Sequence, residues 1–242
     1  MSVLISKIAR IIDLTEEEKK VLLQACTTTL EYPAHHDIVQ MGDRPWKSNL
    51  LMEGMVCRYR TIGSGRRQIL AFQYPGDVFD AYSFVLEIMD HSIATLAPSK
   101  IAQIPHEAMV EITEKHPRLT RALWKDTLID ASVFAEWMTN LRAKTPEAQV
   151  AHLLCEMVTR FGVVGLANDD EIDWPLTATE ISDALGVSVD FVGTVMRQFH
   201  ARGWITIHNA RLTAHRLDQL KKLAEFDPTY LHLNSPHAAG RV

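Results

Sequence analysis

Several large function classes are closed to this chain by what it lacks. Cysteine occurs at only three places, Cys26, Cys57 and Cys155, far apart and odd in number, which provides neither a disulfide framework nor the paired spacing of a metal knuckle. Buried or half-buried thiols are the reading left for them. No apolar run approaches the roughly 20 residues that span a bilayer. The opening Met1-Ser2-Val3-Leu4-Ile5-Ser6-Lys7 lacks the layout of a signal peptide, so the expected location is the cytoplasm, with no membrane partner. A nucleophile elbow, a phosphate-binding glycine loop and a His-Glu-x-x-His pattern are all missing, and the expectation is a protein that is not an enzyme. Excess positive charge is missing too. A net charge of -5, if spread evenly, would oppose nucleic acid, whose affinity for proteins comes largely from neutralised phosphates.

The charge is not spread evenly. Between residues 175 and 222 six cations (Arg197, Arg202, Arg211, Arg216, Lys221, Lys222) face four anions (Glu180, Asp183, Asp190, Asp218), a local asymmetry that permits a DNA-binding module inside an acidic chain. The length of 242 residues exceeds the usual single-domain size and predicts two compact domains. With 47% apolar and 23% charged residues, each half has enough apolar material for a core.

The texture changes along the chain. Residues 2–25 read as short helices, with Thr15 capping a turn whose Glu16, Glu17 and Glu18 favour the positive end of a helix dipole. From Leu30 to Pro105, short apolar runs such as Leu50-Leu51-Met52 and Gln68-Ile69-Leu70-Ala71-Phe72 alternate with turns such as Gly42-Asp43, Gly63-Ser64-Gly65 and Pro75-Gly76-Asp77. That rhythm predicts a small antiparallel barrel or roll. After Pro117 about two dozen residues carry no glycine or proline, and Trp124, Leu128, Ala131, Ala135 and Met138 recur at alternating spacings of four and three. The pattern is a heptad seam flanked by Phe134, Trp137 and Leu141; it fits a helix packed on its own domain and equally a parallel two-helix dimer interface. Thr145-Pro146-Glu147 restarts a helix with a cap and a proline at its first position.

The stretch from Leu176 is the most informative. Thr177-Ala178-Thr179-Glu180 is a capping box, starting a helix that turns Ile181, Ala184 and Leu185 inward and stops at Gly186. Ser188 caps a second helix with Val192, Val195, Met196 and Phe199 inward, ending at Arg202-Gly203. Two short helices about one glycine turn apart are the helix-turn-helix signature. Trp204-Ile205-Thr206-Ile207, a turn at His208-Asn209 and Arg211-Leu212-Thr213 read as a hairpin wing, and a helix from about Ala214 to Phe226 closes the unit.

In this order the parts resemble the Crp/Fnr family of bacterial transcription regulators over about residues 10–226. The resemblance rests on Gly63-Ser64-Gly65-Arg66-Arg67-Gln68-Ile69 with Phe72 and Pro75-Gly76-Asp77, and on Leu176 to Ile205 with Glu180-Ile181, Leu185-Gly186, Ser188, Val192 and Gly203. It implies an α+β fold: an antiparallel β-roll (double-stranded β-helix, cyclic-nucleotide-binding-like) that senses an effector, at 1–116 with the N-terminal helices; a long dimerisation helix and hinge at 117–144; and a winged helix-turn-helix at 145–242. It further implies a homodimer through the seam, a palindromic duplex operator, RNA polymerase as a partner and a small-molecule effector of unknown identity.

By position in the motif, Thr177 and Ser188 fall where the family meets phosphates, as does His208 at the wing tip; Val189, Asp190 and Thr194 fall where it reads bases, Arg197 lies one turn further along the second helix, and Thr179 joins them as a DNA-binding residue. Asp190 can accept from a cytosine amino group, whereas Thr194 replaces an arginine that would grip a guanine edge. The effector cassette falls on Asp80, Ala81, Tyr82, Ser83, His91 and Ser92. Ala81 stands where cyclic-AMP-binding members have a ribose-holding glutamate, and His91 where they have a phosphate-holding arginine, which argues against a cyclic nucleotide. With only Cys26 near the N-terminal end, clustered cysteines for an iron–sulfur centre are lacking. The alternative from another class is a cupin-like ligand- or metal-binding roll without DNA binding, using His35, His36 and His91. It is weakened because residues 30–105 hold no His-x-His, the ligand pair that chemistry wants.

Overall fold

The structure, a computed structural model, describes residues 2–168 and 170–233. Met1, Asp169 and residues 234–242, which the expected spans 1–116 and 145–242 include, lie outside the described residues. Two N-terminal helices, α1 (Ser2–Ile8) and α2 (Glu16–Ala25), precede the strands β1 (Thr28–Tyr32), β2 (Asp37–Val39), β3 (Lys47–Glu53), β4 (Val56–Thr61), β5 (Arg67–Gln73), β6 (Ser92–Thr95) and β7 (Ser99–Pro105). They form two antiparallel sheets, ordered β1-β7-β3 and β2-β6-β4-β5, the expected roll. Val39, Leu51, Val56, Phe79, Ile93 and Ile101 form a buried cluster in it. Sequence reasoning passed over two helices, the short α3 (Ser83–Leu86) and α4 (His106–Lys115).

The long helix α5 runs Pro117–Ala143 and carries two different faces. Leu119, Ala122, Val133, Trp137 and Asn140 are buried, while Trp124, Leu128 and Met138 are 67%, 53% and 61% exposed, as are Ala131 and Ala135. The inward face repeats on its own heptad, so the seam is left uncovered by its own domain. Trp137, which flanks that seam in sequence, belongs to the inward face: its ring lies edge-on to Phe72 at 5.8 Å and its Nε1 donates to the buried Glu156 at 2.9 Å.

The C-terminal half consists of α6 (Pro146–Val163), β8 (Glu171–Asp173), α7 (Ala178–Leu185), α8 (Val189–Ala201), β9 (Thr206–His208), β10 (Arg211–Thr213), α9 (Leu217–Ala224) and a 3-10 turn (Pro228–Leu231). Three details differ from the sequence reading. The wing has a third strand, β8, on the far side of β10. Three residues in an acidic stretch carry no alternation to reveal it. The turn sits one residue later, at Asn209–Ala210 with φ of 51° and 55°, because His208 is paired with Arg211. The closing helix starts at Leu217, because the Ala214 and Arg216 amides donate to the Asp170 and Trp204 carbonyls rather than entering a helix.

One apolar cluster runs through both halves. Met55, Ile69, Phe72, Tyr74 and Leu96 of the roll lie in the same buried cluster as Val150, Leu154, Phe161, Ile181, Val195 and Leu212. Within it His152 is 3% exposed and burial, with Lys144 nearby, pushes its pKa down from 6.5 to about 3. Glu156 Oε2, at 3.9 Å, already accepts from Trp137 and from the Tyr230 hydroxyl. Because the folded chain binds this proton less tightly than the unfolded one, the contribution is complete above pH 6.5 and lost as pH falls towards 3, at about 1.4 kcal/mol per unit. Denaturant titrations from pH 8 downward should therefore slope less for His152→Phe than for the wild type; identical slopes would dismiss the histidine as an acid trigger.

Candidate nucleic-acid interface and effector cassette

The helix pair is built by its caps. Thr177 Oγ1 accepts from the Glu180 amide at 3.3 Å and Glu180 Oε2 accepts from the Thr177 amide at 2.6 Å, so the capping box is closed in both directions. Each such cap is worth about 1 kcal/mol. Gly186 ends α7 in the left-handed region, at φ 69°, a conformation other residues resist. Ser188 Oγ then accepts from the Phe191 amide at 3.2 Å and opens α8. Val192, Val195 and Phe199 are buried, and Met196 is half-buried. The opposite side of α8 is bare: Val189, Asp190, Thr194 and Arg197 are all exposed, and so are Thr177, Thr179, Ser188 and His208.

Thr194 and Arg197 act as a pair. The Thr194 hydroxyl donates to the Asp190 carbonyl at 2.9 Å and accepts from Arg197 Nη2 at 3.0 Å. Long helical side chains lean towards the N-terminus, and the Arg197 side chain lies back over Gly193, where a Cβ would meet Nη1 at an ordinary contact distance of 3.4 Å. The guanidinium missing from position 194 is thus delivered to it from one turn further on. Sequence reasoning placed Arg197 on this helix but missed that reach; its signal was the three-residue spacing of Thr194 and Arg197, which puts both on one helix face.

The roll holds the helix pair from behind. Arg67 Nε pairs with Asp183 Oδ2 at 3.0 Å. Gln68 Nε2 donates to the Asp183 carbonyl at 2.7 Å, at the C-terminal end of α7. His35 Nδ1 lies 3.8 Å from Glu180 Oε1.

In the effector cassette the six residues do not converge on one space. Asp80 is fully buried and accepts from the Asn49 amide (2.5 Å) and Nδ2 (2.6 Å); burial pushes its pKa up to about 7 against those two bonds. The Ser83 hydroxyl meets His106 Nε2 at 3.0 Å, and Ser92 Oγ accepts from the Met41 amide at 3.0 Å. Ala81 is half-buried. His91 Nδ1 lies 2.7 Å from Asp90, so in the neutral ring the proton sits there and Nε2 accepts from the Tyr82 hydroxyl at 2.8 Å. Burial and Arg58 keep the His91 pKa low. Sequence reasoning missed Arg58 altogether. Only 3% exposed, it donates through Nε and Nη2 to the Phe79 carbonyl (3.0 and 2.6 Å) and pairs with Asp130 of α5 at 3.0 Å, its guanidinium 5.2 Å from the Tyr82 ring. A cation does lie between roll and long helix, but it comes from β4, and its Nε and Nη2 are already engaged.

The three histidines of the metal-binding alternative have separate partners: His35 faces Glu180, the His36 ring lies tilted against Tyr32 at 5.2 Å, and His91 is held by Tyr82 and Asp90. Among the described residues no group of three or more His, Cys, Asp or Glu is placed to hold a metal ion, and no helix is long and apolar enough to cross a membrane.

Comparison with known proteins agrees with this arrangement. Residues 29–116 match the cyclic nucleotide-binding domain family, and residues 148–223 match the Crp-like helix-turn-helix domain. The chain is 25% identical to the regulatory protein HlyX of Actinobacillus pleuropneumoniae over 186 residues, 76% of each chain. It is 24% identical to the transcriptional activator protein anr of Pseudomonas aeruginosa, over 77% of this chain and 75% of that one. Among solved structures, FixK2 from Bradyrhizobium japonicum superposes with a TM-score of 0.72 at 22% identity, over 81% of this chain and 96% of that one. A CRP-family transcriptional regulator of Thermus thermophilus gives 0.59 at 18%, over 81% and 97%. With both halves matched in order and the helix pair capped and bare on its outer side, the chain belongs to the Crp/Fnr family of DNA-binding transcription regulators.

Proposed function

We propose that the chain works as a homodimer on a palindromic operator, its two α8 helices entering successive major grooves about one helical turn, roughly 34 Å, apart. The observation that carries this is the bare face of α8, capped at Ser188 and presenting Val189, Asp190 and the Thr194–Arg197 pair. Thr177, Thr179, Ser188 and His208 set register on phosphates. Asp190 accepts from a cytosine amino group, and Arg197, laid over Gly193, is the guanine-reading side chain. The exposed seam Trp124, Leu128, Ala131, Ala135 and Met138 supplies the dimer interface. RNA polymerase is the further protein partner, and the cytoplasm is the compartment.

The β-roll, at 29–116, is the sensing half. The Arg58–Asp130 bridge ties it to α5, so an effector settling beside Tyr82 and His91 would act on the long helix through that bridge. The Arg67 and Gln68 contacts to α7 fix the orientation of the reading helices meanwhile.

Selection of bound duplexes from a random pool, followed by binding at several salt concentrations, tests the reading. A two-fold symmetric site and a steep fall of affinity with salt are expected. Asp190→Ala should relax preference at one base pair per half-site, and Arg197→Ala should weaken the cognate site by about 1–3 kcal/mol. Unaltered preference in both would remove this helix face from base reading.

A further inference from the structure

Two side chains in the first turn of α8 are out of keeping with a partner met through charge alone. Val189 is 43% exposed and Phe191 37%, whereas Val192, Val195 and Phe199 carry the inward packing of the helix. Phe191 makes no ring or cation contact among the described residues. An aromatic side chain is thus presented at the surface beside Asp190.

Helical geometry sets these residues around the carboxylate. At 3.6 residues per turn, Phe191 stands on one flank of Asp190, next to Thr194 three residues on, and Val189 stands on the other. The Thr194 hydroxyl is committed, donating to the Asp190 carbonyl at 2.9 Å and accepting from Arg197 Nη2 at 3.0 Å. Its methyl is the group left for an outside contact, so Phe191 and Thr194 make one apolar flank.

The charge of the helix pair and wing points the same way. Four arginines lie between residues 175 and 222. Arg202 is paired with Glu147 at 3.0 Å, Arg211 with Glu171 and Asp173, and Arg216 with Asp218 at 3.1 Å. Among the described residues Arg197 alone of the four has no carboxylate partner, and it is the one laid against Thr194. With a single guanidinium free of carboxylates, recognition of base edges falls largely to uncharged groups. In the major groove one base offers an apolar group to them, thymine, through its 5-methyl.

We propose that Phe191, with the Thr194 methyl beside it, is a specificity-determining contact for a pyrimidine 5-methyl group, next to the base pair that Asp190 reads. The inference rests on α8 being the reading helix, and it assigns each half-site a thymine within one step of that pair. Covering one methyl is worth about fourfold in affinity. Because the contact is apolar, the factor holds as salt is raised, while total affinity falls with the released counterions. Cytosine methylated at C5 carries the same group in the same place and is accepted in thymine's stead.

Titration of the full chain against the operator selected from the random pool decides it, with each thymine of the half-site replaced in turn by deoxyuridine. At one position the loss should be about fourfold, about sixteenfold with both half-sites changed, and equal at about 50 and 200 mM salt. There 5-methylcytosine paired with guanine should bind about fourfold tighter than cytosine paired with guanine. Phe191→Ala should bind the thymine and deoxyuridine duplexes alike, and Phe191→Leu should restore much of the difference. If Phe191→Ala misfolds, 5-iododeoxyuridine at the sensitive position of the wild-type complex decides instead, and its photo-crosslink should fall on Phe191. No position sensitive to deoxyuridine, a sensitive position more than one step from the Asp190-dependent pair, continued discrimination in Phe191→Ala, or a crosslink to another residue overturns the contact. Should one of these occur while Asp190→Ala still relaxes preference, α8 stands as the reading helix and Phe191 alone is removed; unaltered preference in both Asp190→Ala and Arg197→Ala removes the helix face and this contact with it.

Discussion

Leu128→Glu should convert the protein to monomers and cut operator affinity by at least about a hundredfold, while leaving the fold of each chain intact. Leu128 is 53% exposed in the isolated chain, so glutamate there disturbs no interior packing and the melting temperature of the monomer should hold. In a two-fold parallel pair the same residue meets its own copy, and the change both removes a buried leucine, worth about 1.5–3 kcal/mol on each side, and sets two carboxylates face to face. Trp124 and Met138, each more than half exposed, cannot offset that. Losing the second reading head then forfeits the roughly 10²–10⁴ gain of two linked contacts on one duplex. Sedimentation equilibrium and gel shift measure the two parts separately. A dimer that persists in Leu128→Glu refutes the seam.

Asp77→Ala should be the most damaging single change to stability, at about 3–5 kcal/mol, a large share of the roughly 5–15 kcal/mol that holds a typical domain together. Asp77 sits at the Pro75-Gly76-Asp77 turn, 4% exposed. It accepts from Lys7 Nζ (2.8 Å), Arg160 Nη2 (2.9 Å) and the Tyr74 amide (2.8 Å). Burial alone would raise its pKa, but the two cations hold it below the usual carboxylate value. Deleting the carboxylate leaves two enclosed cations with less to answer them and an amide without its acceptor. Asp77→Asn, which keeps an oxygen for the amide but no charge, should fall between. Urea unfolding of the three proteins gives the order; a loss under about 1 kcal/mol for Asp77→Ala would mean that water or neighbouring groups take over the role.

What could be read without coordinates was local. Caps announce themselves because they bond three residues away: Thr15 with Glu18, Thr177 with Glu180, and Ser188 with the Phe191 amide. The long helix was legible from its heptads, although the periodicity alone could not say which side faced its own domain, because Ala122, Val133 and Trp137 repeat as regularly as Trp124, Leu128 and Met138 do.

What stayed hidden depends on partners far along the chain. Arg58 reads as an ordinary surface cation in a strand until Asp130, 72 positions later, is brought to it. The Lys7–Asp77–Arg160 bridge joins three separate regions. The Arg67 and Gln68 contacts to α7 span more than a hundred residues. No pattern within a window of helical or strand length encodes such pairings, and the partners of the cassette residues were hidden for the same reason: Ser83 meets His106 and Ser92 the Met41 amide.

Phe72 and Tyr74 on one side and Leu154, Ile181 and Leu212 on the other lie in a single apolar mass, so the reading half shares its interior with the roll, which keeps further buried clusters of its own. Cutting the chain after α5 would strip both pieces of neighbours that keep water off their aromatic side chains, and each would be left with a sticky scar where the other had been. Sensor and reader are therefore poor candidates for exchange between relatives as ready-made modules: a swap at this seam has to bring matching side chains from across it, and the chain can be expected to melt as one body.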